Sequence, residues 1–328
     1  MKAVITGTGS YLPDKIITND DLAQQVDTSD EWIRTRTGIR ERRILAEDRA
    51  TSDMCVEAAK RALEDAGMDA AGVDLIVVAT VTPDMFFPAT ACLVQERLGA
   101  VKAAAFDLSA GCTGFVYALA TAAQFLETGM YRTALVIGGD ALSRITNWSD
   151  RSTCVLFGDG AGAVVLEAVA DPGNGILGSY LRADGGGGHL LHMPGGGSRC
   201  PASGESVAKG LHYLRMDGQE VFKFAVKAMG EAALHLLEQC GLSREDIDFL
   251  IPHQANIRIV DAALKRLGLS PDRVYTNLDK YGNMSCASVP VALDEAARAG
   301  RFHKGHLLLL VAFGAGLTWG GVALRWAK

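Results

Sequence analysis

The stretch Phe106-Asp107-Leu108-Ser109-Ala110-Gly111-Cys112-Thr113-Gly114 joins an apolar strand to a helix through a turn of small residues. Ala103 to Leu108 has a strand pattern, and apolar residues on one face predict a helix over Gly114 to Thr128. Cys112 therefore lies at an elbow, at the helix N-terminus. The helix dipole and unpaired backbone N–H groups there favour a thiolate, the nucleophilic form of cysteine. A buried structural cysteine is the alternative interpretation.

Strand and helix patterns alternate along the rest of the chain, which predicts an α/β protein with buried sheets. The clearest further strands are Asp74–Ala79, Ala134–Gly138, Ala163–Leu166 and Leu307–Val311. The clearest further helices are Asp53–Ala66, Gln219–Gln239 and Val289–Arg298.

The two halves of the sequence resemble each other. Phe157-Gly158-Asp159-Gly160-Ala161-Gly162 has a counterpart in Phe313-Gly314-Ala315-Gly316, and both segments lie near the end of their half. A helix, a glycine, an acidic turn and a strand also recur. We therefore predict two pseudo-repeated halves, 1–172 carrying the nucleophile and 173–328 carrying His253 and Asn283, with a site at their junction. The glycine-rich segment Asp184–Leu211 is predicted to be a long mobile loop.

Composition narrows the class of protein. The 328 residues are 48% hydrophobic and 21% charged, which predicts a large core and not a disordered chain or a disulfide scaffold. Seven cysteines without CxxC pairs indicate a reducing compartment, and no apolar run approaches the roughly 20 residues of a membrane span. A net charge of -6 argues against general nucleic-acid binding. We expect a cytoplasmic protein without a membrane segment.

Two polar clusters follow apolar segments of the second half. His253 comes directly after Phe249-Leu250-Ile251-Pro252, at the edge of a predicted sheet where α/β proteins bind ligands. Asn283 lies in a turn of small residues that leads into a helix. Each has a plainer interpretation, a solvated loop histidine and a helix-capping asparagine. Phe313-Gly314-Ala315-Gly316 predicts either a tight turn or a backbone N–H donor to an oxyanion.

Cofactor and metal signals are weak. Gly7-Thr8-Gly9 lacks the third glycine of a dinucleotide-binding fingerprint. His189, His192 and Cys200 lie in the glycine-rich segment without a zinc-like spacing. We therefore expect neither a cofactor nor a metal site.

Taken together, these motifs resemble the β-ketoacyl-[acyl-carrier-protein] synthase III family, the enzymes that start fatty-acid elongation in bacterial-type systems. The resemblance spans most of the chain and keeps the family's order. It rests on Glu31–Ile39, Phe106–Phe115, Phe157–Gly162, Pro252–Asn256, Gly282–Ser288 and Phe313–Gly320.

The resemblance implies a five-layered α/β/α/β/α thiolase fold, a homodimer, and a reaction between acetyl-CoA and malonyl-acyl-carrier protein. Cys112 would take the acetyl group as a thioester, with the backbone N–H groups of Cys112 and Ala315 as oxyanion hole. His253 and Asn283 would stabilise the enolate left when malonyl loses carbon dioxide. Family members often have Gly where this chain has Ala315, which matters little if only the N–H is used.

The resemblance also assigns the binding residues. Trp32 and Arg151 would hold the adenine of CoA, and Arg36, Thr37 and Asn256 would line the same entrance. Phe87 of a partner subunit would close an acyl pocket formed with Leu142 and Phe157, which favours a short primer. The acidic carrier protein would meet a basic surface on the enzyme. That surface is predicted to comprise Lys223, Arg258, Lys265 and Arg266; a merely solvated charged face is the alternative, above all for the neighbouring Lys227.

Other functions stay open. A related condensing enzyme could use a longer acyl-CoA primer in specialised metabolism, and the segment Asp184–Leu211 looks longer than is usual for the family. A thiolase typically needs a second catalytic cysteine, which the turn at Gly314-Ala315-Gly316 lacks. Elongating synthases have histidine where this chain has Asn283, and plant-type polyketide synthases are usually longer. Two alternatives come from other classes of protein. A dehydrogenase would bind NAD, and a non-catalytic acyl-CoA-binding module would bind CoA and lose no activity on Cys112→Ala.

Overall fold

A computed structural model describes residues 1–170 and 173–328. The predicted boundary between the halves falls at residue 172, outside the described residues, and stays a prediction. The strands are β1 (Lys2–Tyr11), β2 (Lys15–Thr18), β3 (Glu41–Ile44), β4 (Leu75–Ala79), β5 (Ala104–Leu108), β6 (Thr133–Ala141), β7 (Asp159–Val169), β8 (Gly175–Ala183), β9 (Leu191–His192), β10 (Arg215–Met216), β11 (Phe249–Pro252), β12 (Leu307–Gly314) and β13 (Thr318–Arg325).

The helices connect these strands and cover the sheets. They are α1 (Asn19–Ala23), α2 (Asp30–Thr37), α3 (Thr51–Ala66), α4 (Thr90–Leu98), α5 (Gly114–Glu127), α6 (Arg151–Cys154), α7 (Gly204–Ala208), α8 (Gly218–Gln239), α9 (Ile257–Leu267), α10 (Leu278–Tyr281) and α11 (Ser288–Arg298). Every strand and helix named in the sequence analysis is present, with ends that shift by a few residues. None of the described helices is long and apolar enough to cross a membrane.

Two sheets of matching topology form the frame of the molecule. The first has the order β1-β7-β6-β4-β5, and the second has the order β8-β13-β12-β11. In each sheet two antiparallel pairings are followed by a parallel one, between β6 and β4 and between β12 and β11. This correspondence is the structural form of the internal repeat. β5 lies at the open edge of the first sheet, and in the corresponding place of the second sheet a single parallel bridge joins Val274 to Leu250 of β11.

The sheets are buried on both faces, which explains their continuous apolar runs. In β4, Leu75 and Val77 face a central core that also contains α5, α11 and residues of the second sheet, whereas Ile76 and Val78 face α3 and α4. The outer face of the second sheet packs against α8 and α9. The order of layers is therefore α3/α4, first sheet, α5/α11, second sheet, α8/α9, which is the predicted α/β/α/β/α arrangement.

The glycine-rich segment Asp184–Leu211 has more regular structure than the sequence predicts. It contains a 3-10 turn over Gly185–Leu190, strand β9, which pairs with β10, and helix α7 with a capping box at Ser203. The sequence does not predict these short elements, because runs of glycine have no strong preference for helix, strand or turn. The segment therefore contains ordered secondary structure, and residues at β9 line the site described next.

Candidate active site

The elbow at Cys112 is held against the turn after β12. Gly111 has a φ of +57°, and a Cβ placed on it would lie 2.6 Å from the backbone nitrogen of Ala315. A Cβ on Gly314 would lie 2.4 Å from the backbone nitrogen of Cys112. Larger side chains cannot fit at such distances, so both glycines are needed for the two turns to touch. The turns that carry the backbone N–H groups of Cys112 and Ala315 are therefore in contact, which an oxyanion hole made of both groups requires.

Side chains from the second half fix the elbow. The hydroxyl of Thr318 donates to the carbonyl of Ala110 at 2.8 Å and lies 2.9 Å from the hydroxyl of Thr113. The thiol of Cys286 donates to the carbonyl of Gly111 at 3.1 Å. Residues of both halves therefore determine where Cys112 points.

The thiol of Cys112 is not a resting thiolate. Burial raises its pKa to about 11, and a hydrogen bond with Ser285 offsets part of that effect. Desolvation of the sulfur acts against the helix N-terminus, which the sequence predicts to favour the thiolate. Near neutral pH the thiol is therefore protonated, and its proton must leave as the sulfur attacks a substrate.

His253 follows β11 and is buried, with 1% of its surface exposed. Its Nδ1 lies 2.5 Å from the hydroxyl oxygen of Ser288, and its ring packs edge-on against Phe313. Burial lowers the pKa of His253 to about 3, so the imidazole is neutral at physiological pH. Its Nε2 is buried and has no hydrogen-bond partner within residues 1–170 and 173–328. The atom is free to pair with a substrate.

Asn283 is oriented by backbone. Its Oδ1 accepts the N–H of Ser285 at 2.8 Å, and because a backbone N–H can only donate, this contact fixes which way the amide faces. Ser285 has a φ of +48°, a region that a residue with a side chain rarely adopts. The backbone of Asn283 also pairs with Leu156 and Gly158. The Nδ2 group is left to donate to a group in the adjoining cavity.

Two cavities meet at Cys112. One, here called the entry cleft, measures about 520 Å³, and its lining includes Cys112, His253, Asn283, Asn256, Phe222 and Phe313. The other, here called the acyl pocket, measures about 550 Å³, and its lining includes Cys112, Leu142, Phe157, Met193, Leu214 and Ala315. The sulfur is thus reached from the cleft that also holds both neutral donors, while an apolar pocket lies on its other side.

The residues predicted for CoA come together from separate segments. The guanidinium groups of Arg36 on α2 and Arg151 on α6 lie 4.4 and 5.0 Å from the ring centre of Trp32. Arg151 also donates to the carbonyl of Asp27 at 2.6 Å. This half-buried aromatic ring between two cations is a surface that suits a planar, electron-rich base.

Asn256 connects this surface with the entry cleft. Its Nδ2 donates to the carbonyl of Arg36 at 3.0 Å, and its Oδ1 accepts the N–H of Arg258 at the start of α9. Thr37 is placed differently from the prediction of an entrance residue. It is buried, and its hydroxyl donates to Ile33 and accepts from the N–H of Ile39, so it closes the end of α2.

The predicted acyl-pocket residues divide into two groups. Leu142 and Phe157 are buried in the pocket wall, whereas Phe87 is 84% exposed in this single chain. The pocket lining also includes Leu191, His192, Met193 and Leu214, which the sequence does not predict. They belong to the glycine-rich segment and its continuation, where no periodic pattern marks which side chains turn inward. Among the described residues, no group of three His, Cys, Asp or Glu side chains could hold a metal ion.

The site combines a cysteine, Cys112, with two neutral donors, His253 and Asn283, where two repeated α/β halves meet. This combination defines a condensing enzyme of the thiolase fold. Family models for 3-oxoacyl-[acyl-carrier-protein] synthase III match residues 106–185 and, for its C-terminal part, residues 237–326. These matches include Cys112 in the first and His253 and Asn283 in the second.

Whole-chain relatives agree with these matches. β-Ketoacyl-[acyl-carrier-protein] synthase III of Caldanaerobacter subterraneus subsp. tengcongensis is 65% identical over 99% of this chain and 98% of its own. The enzyme of the same name from Desulfitobacterium hafniense is 62% identical over the same shares. The crystal structure of the Thermus thermophilus synthase superimposes with a TM-score of 0.92 at 48% identity, covering 99% of both chains. This chain belongs to the β-ketoacyl-[acyl-carrier-protein] synthase III family and is an acyltransferase.

Proposed function

We propose that this enzyme condenses acetyl-CoA with malonyl-acyl-carrier protein to give acetoacetyl-carrier protein, CoA and carbon dioxide, the first condensation of type II fatty-acid biosynthesis. The observation that carries the proposal is the position of Cys112, where the acyl pocket meets the cleft that holds His253 and Asn283. All seven cysteines are free thiols, which supports the reducing cytoplasm as the compartment.

The first half-reaction transfers the acetyl group to the enzyme. The sulfur of Cys112 attacks the thioester carbonyl of acetyl-CoA, and the carbonyl oxygen becomes negative in the tetrahedral intermediate. The N–H groups of Cys112 and Ala315 stabilise that oxygen. The carbon–sulfur bond to CoA then breaks, and CoA leaves as the thiol, so that the proton lost by Cys112 is balanced by the one gained by the CoA sulfur. The acetyl group stays on Cys112 with its methyl in the acyl pocket.

The second half-reaction forms the carbon–carbon bond. The bond between the malonyl methylene carbon and its carboxylate breaks, carbon dioxide leaves, and the electron pair remains as an enolate. Nε2 of His253 and Nδ2 of Asn283 donate to the enolate oxygen. The enolate carbon attacks the acetyl carbonyl, the bond from that carbon to the sulfur of Cys112 breaks, and the released sulfur takes up a proton from water to become the thiol again. Neutral donors suit this step because a cation would also stabilise the carboxylate that has to leave. The nucleophile and all the hydrogen-bond donors in these steps are groups of the chain itself, so we propose that no cofactor takes part.

A longer primer has a specific observation in its favour. A groove of about 1080 Å³ adjoins the acyl pocket, and the two share Val81, Ile145 and Met193 in their lining. In a single chain, an acyl tail longer than acetyl could therefore continue past Met193 into the groove. Closure of this end by a partner subunit would restore the preference for a short primer.

We propose a homodimer as that closed form. β5 lies at an open sheet edge, and the nearby Phe86 and Phe87 are 80% and 84% exposed. Open edges and exposed aromatic rings are normally covered. A second copy paired along β5 would cover both and bring its Phe87 towards the acyl pocket. Sedimentation of the pure protein at the mass of one chain would contradict this pairing.

A basic surface at the mouth of the entry cleft suits the acidic carrier protein. Arg258 lies over the ring of Phe222, a residue of the cleft wall, at 5.3 Å. Lys265 and Arg266 are exposed at the other end of α9, and the stem of Arg266 packs on Gly230. Lys223 is also exposed but pairs with Glu220 at 2.7 Å, so part of its charge is already neutralised.

Charge reversal on this surface is expected to weaken carrier binding without affecting acetyl-CoA. Arg258→Glu should raise KM for malonyl-carrier protein about tenfold, an effect that shrinks as salt increases. Lys223→Ala should have a smaller effect because of its ion pair. Steady-state kinetics at two salt concentrations measure both, with Lys60→Glu on the opposite outer layer as control. If Arg258→Glu and the wild type had equal KM values for malonyl-carrier protein, this surface would not be the carrier-binding site.

The function is tested by supplying acetyl-CoA and longer acyl-CoA primers in competition, with malonyl-carrier protein as extender, and identifying the carrier-bound product by mass spectrometry. We expect acetoacetyl-carrier protein. A medium-chain 3-oxoacyl product would support the longer-primer enzyme, and turnover without a malonyl substrate would indicate thiolase chemistry.

A further inference from the structure

A buried hydroxyl outside the catalytic trio contacts the imidazole of His253. Ser288 is the first residue of α11, and none of its surface is exposed. Its Oγ lies 2.5 Å from Nδ1 of His253, which is a short hydrogen bond between two buried side chains. No other hydrogen bond of this hydroxyl is found in the described part of the chain. The contact therefore bears on which ring nitrogen of His253 carries the proton.

Two arrangements of that hydrogen bond are conceivable, and they differ in what they leave unpaired. If Nδ1 carries the proton and donates to Ser288, the serine hydrogen lacks an acceptor and Nε2 presents only a lone pair to the cleft. If the Ser288 hydroxyl donates to Nδ1, only the Nε2–H group is left, and it faces a site where a substrate carbonyl can accept it. Unpaired buried polar groups are costly, so the second arrangement is favoured.

We propose that Ser288 is a positioning residue that holds His253 in the tautomer with the proton on Nε2. The proposal deepens the function above and rests on it, because an Nε2–H donor is what the enolate requires and a bare Nε2 would repel that oxygen. Ser288 itself does not contact the substrate in the proposed mechanism. It acts through the ring that it orients, as outer hydrogen-bond partners of functional histidines do.

Hydrogen bonds to β1 hold α11 at a second point, further along the helix than Ser288. Asp294 of α11 accepts hydrogen bonds from Thr8 at 2.8 Å and Ser10 at 2.6 Å, both on β1. The segment that enters α11 also carries Ser285, whose N–H fixes the amide of Asn283. One continuous segment thereby sets the direction of both enolate donors, one through a backbone N–H and the other through a side-chain hydroxyl.

Replacement of Ser288 separates this role from a purely structural one. In Ser288→Ala the acetylation of Cys112 by acetyl-CoA should keep its wild-type rate, whereas kcat for condensation should fall about tenfold or more with little change in KM for malonyl-carrier protein. Ser288→Thr keeps the hydroxyl and should recover part of the loss. Thr133→Val is the control, since it removes a hydroxyl hydrogen bond of 2.8 Å to the carbonyl of Gly72 at the start of β6, the end of that strand away from the site. It should leave the ratio of the two half-reaction rates unchanged.

A spectroscopic readout keeps the test independent of turnover. In the wild-type enzyme with 15N-labelled histidine, the NMR signals of His253 should show an unprotonated Nδ1 and a protonated Nε2, and in Ser288→Ala this single pattern should be lost. A wild-type Nδ1–H signal, or an Ala variant that condenses at the wild-type rate, would overturn the proposal. Failure of the wild-type enzyme to condense at all would instead count against the proposed function, and the tautomer would still be read from the spectrum.

Discussion

The Cys112→Ala variant is expected to release no CoA from acetyl-CoA, and its condensation rate should fall by about 10⁴-fold or more, as for other enzymes that lose their nucleophile. The substitution removes the sulfur atom that carries the acetyl group between the two half-reactions of the proposed mechanism. Neighbouring groups cannot replace it, because His253 is a neutral donor and the thiol of Cys286 donates to Gly111 on the other side of the elbow. Release of CoA in the absence of malonyl-carrier protein measures the first half-reaction directly.

Cys240→Ala is the matched control for this variant. Cys240 is partly buried, and burial raises its pKa as it does that of Cys112, but it lies at the end of α8. It should behave as wild type. A Cys112→Ala enzyme that still released CoA in a stoichiometric burst would show that another residue is the nucleophile.

The second large effect is expected from His253→Ala and Asn283→Ala, which should keep acetylation of Cys112 but lose condensation by about 10² to 10³-fold each, the usual cost of one preorganised donor. The loss arises because each variant removes an N–H group from the enolate oxygen while the elbow and oxyanion hole remain. Because both donors act on the same oxygen, the double variant should lose less than the product of the single effects.

The pH dependence sharpens this prediction. The pKa of His253 is lowered to about 3, so its imidazole stays neutral as the pH changes between 6 and 8. The ratio of wild-type to His253→Ala condensation rates should therefore be constant across that range, which separate single-turnover measurements of the two half-reactions can establish. A ratio that follows a group titrating near 6.5 would mean that a charged imidazole takes part. The exposed His235 on α8 supplies the control substitution.

The sequence predicts the fold because its strongest signals are those that burial imposes. Continuous apolar runs such as Leu307–Val311 require helices on both faces, and the recurrence of Phe157–Gly162 as Phe313–Gly316 predicts the two matched sheets. The elbow at Cys112 is predictable from its glycines, because Gly111 is needed where two backbone segments touch. Assignments of Trp32 and Arg151 came from the resemblance to the family; their proximity is a tertiary contact that no local pattern predicts.

The remaining features depend on burial and on contacts between distant segments. The raised pKa of Cys112 follows from desolvation, which a strand–turn–helix pattern does not report. The contact between Ser288 and His253 joins residues 35 positions apart, and Ser288 appears in the sequence only as one small residue in the run Ser285-Cys286-Ala287-Ser288. Met193 and Leu214 reach the acyl pocket from a segment whose glycines conceal its short elements.

Covalent transfer through Cys112 is tested by the intact mass of the wild-type protein after mixing with acetyl-CoA, followed by peptide mapping and a chase with malonyl-carrier protein. We predict a single acetyl group on Cys112 that disappears in the chase as acetoacetyl-carrier protein forms. An unmodified protein that nevertheless makes the product, or an acetyl group on another residue that the chase consumes, would contradict the covalent mechanism through Cys112.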